Sequence, residues 1–251
     1  MNRSQISQFL LGVGGQKCGT TWLYRQLMQQ PWFAPGDRKE YRLFERSSPS
    51  LEDYAFHFRH CLQIRPGTSV CADITPAYAL LETAELSKIQ HALEQEHFRV
   101  RALFVVRDPL ERLWSQVRMH RIKGNVKGHA PYQSDTEGIR DMLHRAGAEG
   151  RTRYHYTVKR LQQVFTPVDL HITIYEQMFQ PLFAEELEQW LGLPIEALHP
   201  QERINSSPKQ SVLSEDIQVE VVNHFADVYT WAEGHFGPGI RQLWGGYRLL
   251  K

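Results

Sequence analysis

Three groups of residues in this chain have the types and spacing to hold anions and move protons. The first is Phe9-Leu-Leu-Gly-Val-Gly-Gly-Gln16-Lys17-Cys18-Gly19-Thr20-Thr21-Trp22-Leu23, an apolar run that passes through glycines into residues at helical spacing. A strand that feeds a helix through glycines turns backbone N–H groups outward at the positive end of the helix dipole, which is a phosphate site. Lys17 adds a mobile cation, and Thr20 and Thr21 add hydroxyl donors in the first helical turn. The second group is Arg107, directly after the apolar run Val100–Val106, with Ser115 eight residues further on. A guanidinium makes bidentate, charge-assisted bonds to phosphate oxygens. The third is Asp73, which closes the short run Ser69-Val-Cys-Ala-Asp73 just before Pro76. That position is the carboxyl end of a strand, where open parallel sheets bind ligands. Asp73 could equally serve its own turn, by capping the backbone of Thr75 and Tyr78.

The elements that must position these groups alternate between strand and helix. Residues 8–13, 69–73, 100–106 and 170–175 read as buried strands, and the apolar positions between them recur at helical spacing. Helices are expected at about 20–30, ending before Pro31, then at 51–62 and 83–96. Another follows Asp108 and Pro109, which suit an N-cap and a first helical position. Further helices are expected near 136–146, 154–165 and 179–191, the last stopping at Gly192, and two more near 213–233 and 238–244. The pattern predicts an α/β fold: one P-loop-like domain over 1–251, with a central parallel sheet of about four to five strands flanked by helices. Residues 123–153, rich in glycine and charge around one short helix, read as a substrate lid or as a connector with no role.

Composition narrows the partners. The 251 residues are 41% hydrophobic and 23% charged with a formal net charge of +1, ordinary values for a globular domain. Such a balance gives no support to nonspecific nucleic-acid binding, so an anion site must be local. Cys18, Cys61 and Cys71 show neither a disulfide framework nor zinc spacing, and His57 and His60 lack a third ligand candidate. No metal is expected. Cys18 lies inside the anion loop, as a thiol of lowered pKa or as a small filler. No run approaches the ~18 apolar residues of a membrane span, and no secretion signal precedes the first strand, so a cytoplasmic protein is expected.

The order within the loop is diagnostic. The nucleotide-triphosphate loop G-x-x-x-x-G-K-[ST] has its lysine after the last glycine, whereas here Lys17 precedes Gly19. K-x-G-T-T-W resembles instead the 5′-phosphosulfate loop of sulfotransferases that use 3′-phosphoadenosine 5′-phosphosulfate (PAPS). Arg107-Asp-Pro-Leu-Glu-Arg-Leu-Trp-Ser115 resembles the R-x-P-x-x-R-x-x-S motif by which that family holds the nucleotide's 3′-phosphate. Asp73-Ile-Thr-Pro-Ala-Tyr78 resembles E-K-T-P-x-Y, whose carboxylate is a general base, with aspartate in place of glutamate and Ile74 in place of lysine. Lys39-Glu40 before aromatic residues resembles K-E-x-x-F-F, whose lysine lies beside the transferring group; without the resemblance Lys39 reads as a solvated loop charge. Arg203-Ile-Asn-Ser-Ser-Pro-Lys209 resembles the segment that closes over the nucleotide. The family's basic R-K-G-type loop has no counterpart, which leaves part of the 3′-phosphate site unassigned.

The resemblance implies a sulfotransferase that moves a sulfuryl group from PAPS, leaving PAP, to a hydroxyl or amine of an acceptor. Carbohydrate, glycolipid, small metabolite and a protein tyrosine all remain open as that acceptor. It implies a nucleotide site from Gln16, Lys17, Cys18, Gly19, Thr20, Thr21, Trp22, Arg107 and Ser115 with Lys209, Trp22 touching the adenine. Lys17 would assist the leaving phosphate, Lys39 would stand beside it, and Asp73 would be the base. Two other readings stand beside it: a P-loop-type phosphotransferase, and a PAP(S)-binding protein without catalysis.

Overall fold

The computed structural model describes residues 6–45, 49–124, 131–202, 204, 209 and 212–250. Four strands, β1 (Gln8–Gly14), β2 (Val70–Ile74), β3 (Arg99–Val106) and β4 (Leu170–Ile174), form one sheet in the order β2-β1-β3-β4. Every pairing is parallel, with Leu11 opposite Asp73 and Ala102, and Val106 opposite Ile174. Strands covered on both faces read as continuous apolar runs, which is why 8–13 and 100–106 were legible. Along β1 the side chains alternate. Phe9, Leu11 and Val13 enter one core, and Leu10 enters the other, with Trp22, Leu23 and Leu27.

Eleven helices among the described residues cover the sheet: α1 (Thr20–Leu27), α2 (Leu51–Gln63), α3 (Thr83–Gln95), α4 (Pro109–Lys123), α5 (Asp135–Leu143), α6 (Ala146–Gly150), α7 (Tyr154–Val164), α8 (Leu182–Leu191), α9 (Glu215–His224), α10 (Ala226–Phe236) and α11 (Ile240–Leu243). This is the expected α/β fold with a parallel four-strand sheet flanked by helices. Asp108 caps α4 as expected, accepting from the Leu110 amide at 3.0 Å.

Three local expectations change. α1 stops at Leu27, three residues early. The helix foreseen at 213–233 is two helices, because Phe225 (φ −109°, ψ 24°) leaves helical geometry while its ring is fully buried. In the 123–153 segment, residues 125–130 lie outside the described ones. Its described part holds two short helices, α5 and α6, where one was expected, and Ile139, Met142 and Leu143 of α5 are buried in the core.

The connectivity sets the site. The chain steps from β1 to β2 on one side, then crosses to β3 on the other, so the strand order reverses at β1. The crevice outside the carboxyl ends of such strands is where α/β sheets bind ligands. The residues that leave those ends are Gly15–Gly19, Thr75, Arg107 and Tyr175-Glu176.

Candidate active site

The turn after β1 is held against the sheet by the Gly15 amide, which donates to the Val105 carbonyl at 2.7 Å. Lys17 (φ 67°) and Gly19 (φ 75°) then take left-handed backbone. A Cβ at Gly19 would also lie 2.9 Å from the Tyr175 ring, so glycine is required there twice over. Gly19 caps α1 without a side-chain bond. The first-turn amides of a helix have no partner within it, and these open on a cavity of about 1330 Å³. That exceeds the ~300–1,000 Å³ of a common ligand pocket.

Gln16, Lys17, Gly19, Thr20, Thr21 and Trp22 line this cavity together with Lys39, Arg107, Ser115 and Lys209. Arg107 Nη1 donates to the Lys17 carbonyl at 3.0 Å across 90 positions of sequence. Its guanidinium lies 4.3 Å from the centre of the Tyr175 ring, and its own carbonyl accepts from the Tyr154 hydroxyl at 2.9 Å. Trp22 is buried, donates to the His199 carbonyl at 3.1 Å and packs on Phe179, with ring centres 4.9 Å apart. Lys39 is not a solvated loop charge. Its ammonium donates to Thr20 Oγ1 at 3.3 Å and Glu40 Oε1 at 2.9 Å. Burial lowers its pKa, with Glu40 and Asp73 opposing.

Two expected site residues stay out of the cavity. Asp73 is fully buried, and both of its oxygens are engaged. Oδ1 accepts from Thr75 Oγ1 at 2.6 Å and the Tyr41 amide at 3.0 Å; Oδ2 accepts from Tyr78 at 2.8 Å and Tyr54 at 3.1 Å. Burial raises its pKa against those four bonds. The capping alternative was nearer the structure, although Thr75 and Tyr78 act through side chains and Tyr54 and Tyr41 were not foreseen. Cys18 points inward as well. Its amide donates to the Gly15 carbonyl at 3.2 Å, and burial pushes its thiol up to about 12, so it is filler and not a lowered thiol.

Other groups in the cavity wall were missed. Glu40 is bound by Lys39 and by Arg42, whose Nε and Nη2 approach at 2.9 and 2.5 Å. Burial raises its pKa, but the two cations outweigh that and leave it below the usual carboxylate range. Glu176 is pushed up to about 7 by burial, with Arg107 opposing, and its Oε2 accepts from Trp244 at 3.3 Å. Glu111, Arg118 and Tyr175 also line the cavity. The signal for Tyr175-Glu176 was its place at the end of β4, the edge that supplies the other site residues. Among the described residues, no three His, Cys, Asp or Glu side chains group to hold a metal ion.

A parallel four-strand sheet flanked by helices, with a glycine turn into a helix after its first strand and an arginine leaving the neighbouring strand, defines an α/β protein of P-loop-like type. The chain matches the model of the sulfotransferase domain over residues 8–234 and belongs to that family. A sulfotransferase from Alicyclobacillus acidocaldarius shares the fold, with a TM-score of 0.65 and 17% identity over 90% of this chain and 94% of that one. Two further structures match more loosely. The sulfotransferase domain of the Synechococcus PCC 7002 olefin synthase has a TM-score of 0.49 and 13% identity over 88% of this chain and 94% of that one. Mouse sulfotransferase SULT7A1, complexed with PAP, has 0.48 and 13% over 78% and 62%. A comparison with curated proteins finds no match.

Proposed function

We propose that this sulfotransferase, acting as one domain, uses PAPS and passes its sulfuryl group to a hydroxyl or amine of an acceptor in the carbohydrate, glycolipid or small-metabolite class. The observation that carries this reading is the meeting, in one cavity, of the Lys17 loop with Arg107 and Ser115. Arg107 also carries a buried Nε donor without a hydrogen bond among the described residues. When bound, PAPS would supply an activated sulfuryl group and leave as PAP.

The first-turn amides of α1, Lys17, Thr20 and Thr21 would hold the 5′-phosphate. Arg107 and Ser115 would hold the 3′-phosphate, and the ring of Trp22 would face the base. Lys17 supplies a positive charge where negative charge grows on the departing phosphate, the preorganised electrostatics that carry much of enzymatic catalysis. Lys39, held at Thr20, adds a second cation to that corner. The sequence expectation of Asp73 as base is revised, because it is fully buried and does not line the cavity. Glu40 is the carboxylate that faces the cavity beside Lys39, kept ionised by Lys39 and Arg42. We assign it the acceptor's proton. The three cysteines are unpaired, which suits a reducing, cytoplasmic setting.

Calorimetric titration tests the reading. PAP should bind without metal and far more tightly than ATP with magnesium, and labelled PAPS should be turned over with a suitable acceptor. Arg107→Ala should weaken PAP at least about tenfold, the worth of a charge-assisted bond. Lys17→Ala should act mainly on turnover. Preference for ATP with magnesium would move the chain to phosphoryl transfer, and PAP binding without turnover to a binding role.

A further inference from the structure

Beyond Ser115, helix α4 keeps one face on the cavity: Ser115, Arg118, Met119 and Ile122 follow at helical spacing. Arg118 is the unusual member. It is 7% exposed, and its Nε and Nη1 are buried without a hydrogen-bond partner among the described residues. Its guanidinium carbon lies 4.7 Å from the centre of the Trp114 ring. Lys209 converges on the same ring, its ammonium 4.6 Å from the centre. Lys209 also donates to Glu111 Oε1 at 2.7 Å, while Glu111 Oε2 lies 3.5 Å from Arg107 Nη2. One carboxylate therefore bridges two of the cations that face the cavity.

A buried guanidinium with idle N–H groups is costly, and native proteins keep few such groups without a reason. Arg118 lines the cavity together with Arg107, whose own Nε is buried and unpartnered among the described residues, and with Ser115. A phosphate monoester carries close to two negative charges and three acceptor oxygens. It would meet the charges of Arg107, Arg118 and Lys209 together, and Glu111 already puts negative charge among the same cations.

We propose that Arg118 is a specificity-determining residue that, with Lys209, completes the pocket of Arg107 and Ser115 for the nucleotide's 3′-phosphate, Glu111 giving way to that phosphate. This rests on the PAPS reading above.

The test is calorimetric titration of wild type, Arg118→Gln, Arg118→Lys and Glu111→Gln with PAP and with adenosine 5′-monophosphate, which lacks the 3′-phosphate. Arg118→Gln should weaken PAP by about 10- to 100-fold, the range for bonds to a charged group, and leave the monophosphate within about twofold. Arg118→Lys should recover part of the loss, since it keeps the charge without the fork. Glu111→Gln should tighten PAP severalfold with the monophosphate unchanged. Equal loss of both nucleotides in Arg118→Gln would make the residue structural and overturn the assignment, as would unchanged PAP binding. Weaker PAP binding in Glu111→Gln would overturn the displacement. If wild type itself did not prefer PAP, the PAPS reading would fall and this inference with it; a wild-type preference that survives Arg118→Gln would remove Arg118 alone.

Discussion

At the scale of single residues, the carboxylates divide by what their oxygens touch. Asp73 accepts four hydrogen bonds and faces no cavity, yet it bears directly on the site. Its Oδ1 holds the Tyr41 amide, and next to it in β2 the Ile74 amide donates to the Lys39 carbonyl at 2.9 Å. Asp73 thus fixes the segment that presents Lys39 and Glu40, which makes it a positioning residue. Asp73→Asn turns an NH₂ toward two of the four donors and leaves them without an acceptor. We expect a loss of about 1–3 kcal/mol in stability, the cost of unsatisfied buried donors, with PAP affinity within about twofold of wild type. Urea denaturation and calorimetry measure the two. Unchanged stability with collapsed turnover would return the base role to Asp73. The motif around Asp73, Tyr78 included, was legible in the sequence; the Tyr54 hydroxyl that helps seal it was not, because it reaches Asp73 from another helix.

At the scale of elements, what could be read was what depends on neighbours in sequence. The strand runs, the glycine turn, the Asp108-Pro109 helix start and the eight-residue step from Arg107 to Ser115 are all local patterns, and all appear where expected. Contacts between segments could not be read. Lys39 meets Thr20 only because the loop folds back on α1, and Arg118 matters only because α4 turns that face toward Arg107. The break at Phe225 was equally hidden, since no glycine or proline marks it. The turn before α1 supplies the prediction at this scale. Gly19→Ala forces a Cβ into left-handed backbone, which costs roughly 1–2 kcal/mol, and presses it on the Tyr175 ring. Thermal denaturation should show at least that loss. PAP affinity should fall too, because Tyr175 carries the Arg107 guanidinium. A variant with wild-type stability and affinity would mean that the turn has another conformation.

At the scale of the whole molecule, the C-terminal segment packs on Asp108 and Glu176, just beyond the carboxyl ends of β3 and β4. Tyr229 donates to Asp108 Oδ1 at 2.5 Å, and the Gly246 amide donates to Oδ2 at 2.9 Å across 138 positions. Trp244 is fully buried and donates to Glu176. This cover desolvates Glu176 and moves its pKa from the ordinary 4.5 to about 7. Between those values the folded protein keeps a proton that the unfolded chain has released, so stability falls as pH rises through this window. Each tenfold difference in proton affinity between the two states is worth about 1.4 kcal/mol, and partial solvent contact reduces the total to about 2 kcal/mol by pH 8. Glu176→Gln keeps an oxygen for Trp244 and carries no charge. Other titrations cancel in the difference between the two proteins. Denaturation at pH 4 should therefore find them alike, and at pH 8 the variant should be the more stable by about 2 kcal/mol. A difference that stays flat from pH 4 to 8 would mean that Glu176 ionises in the folded protein as it does in water, and that the C-terminal cover does not dry this end of β4.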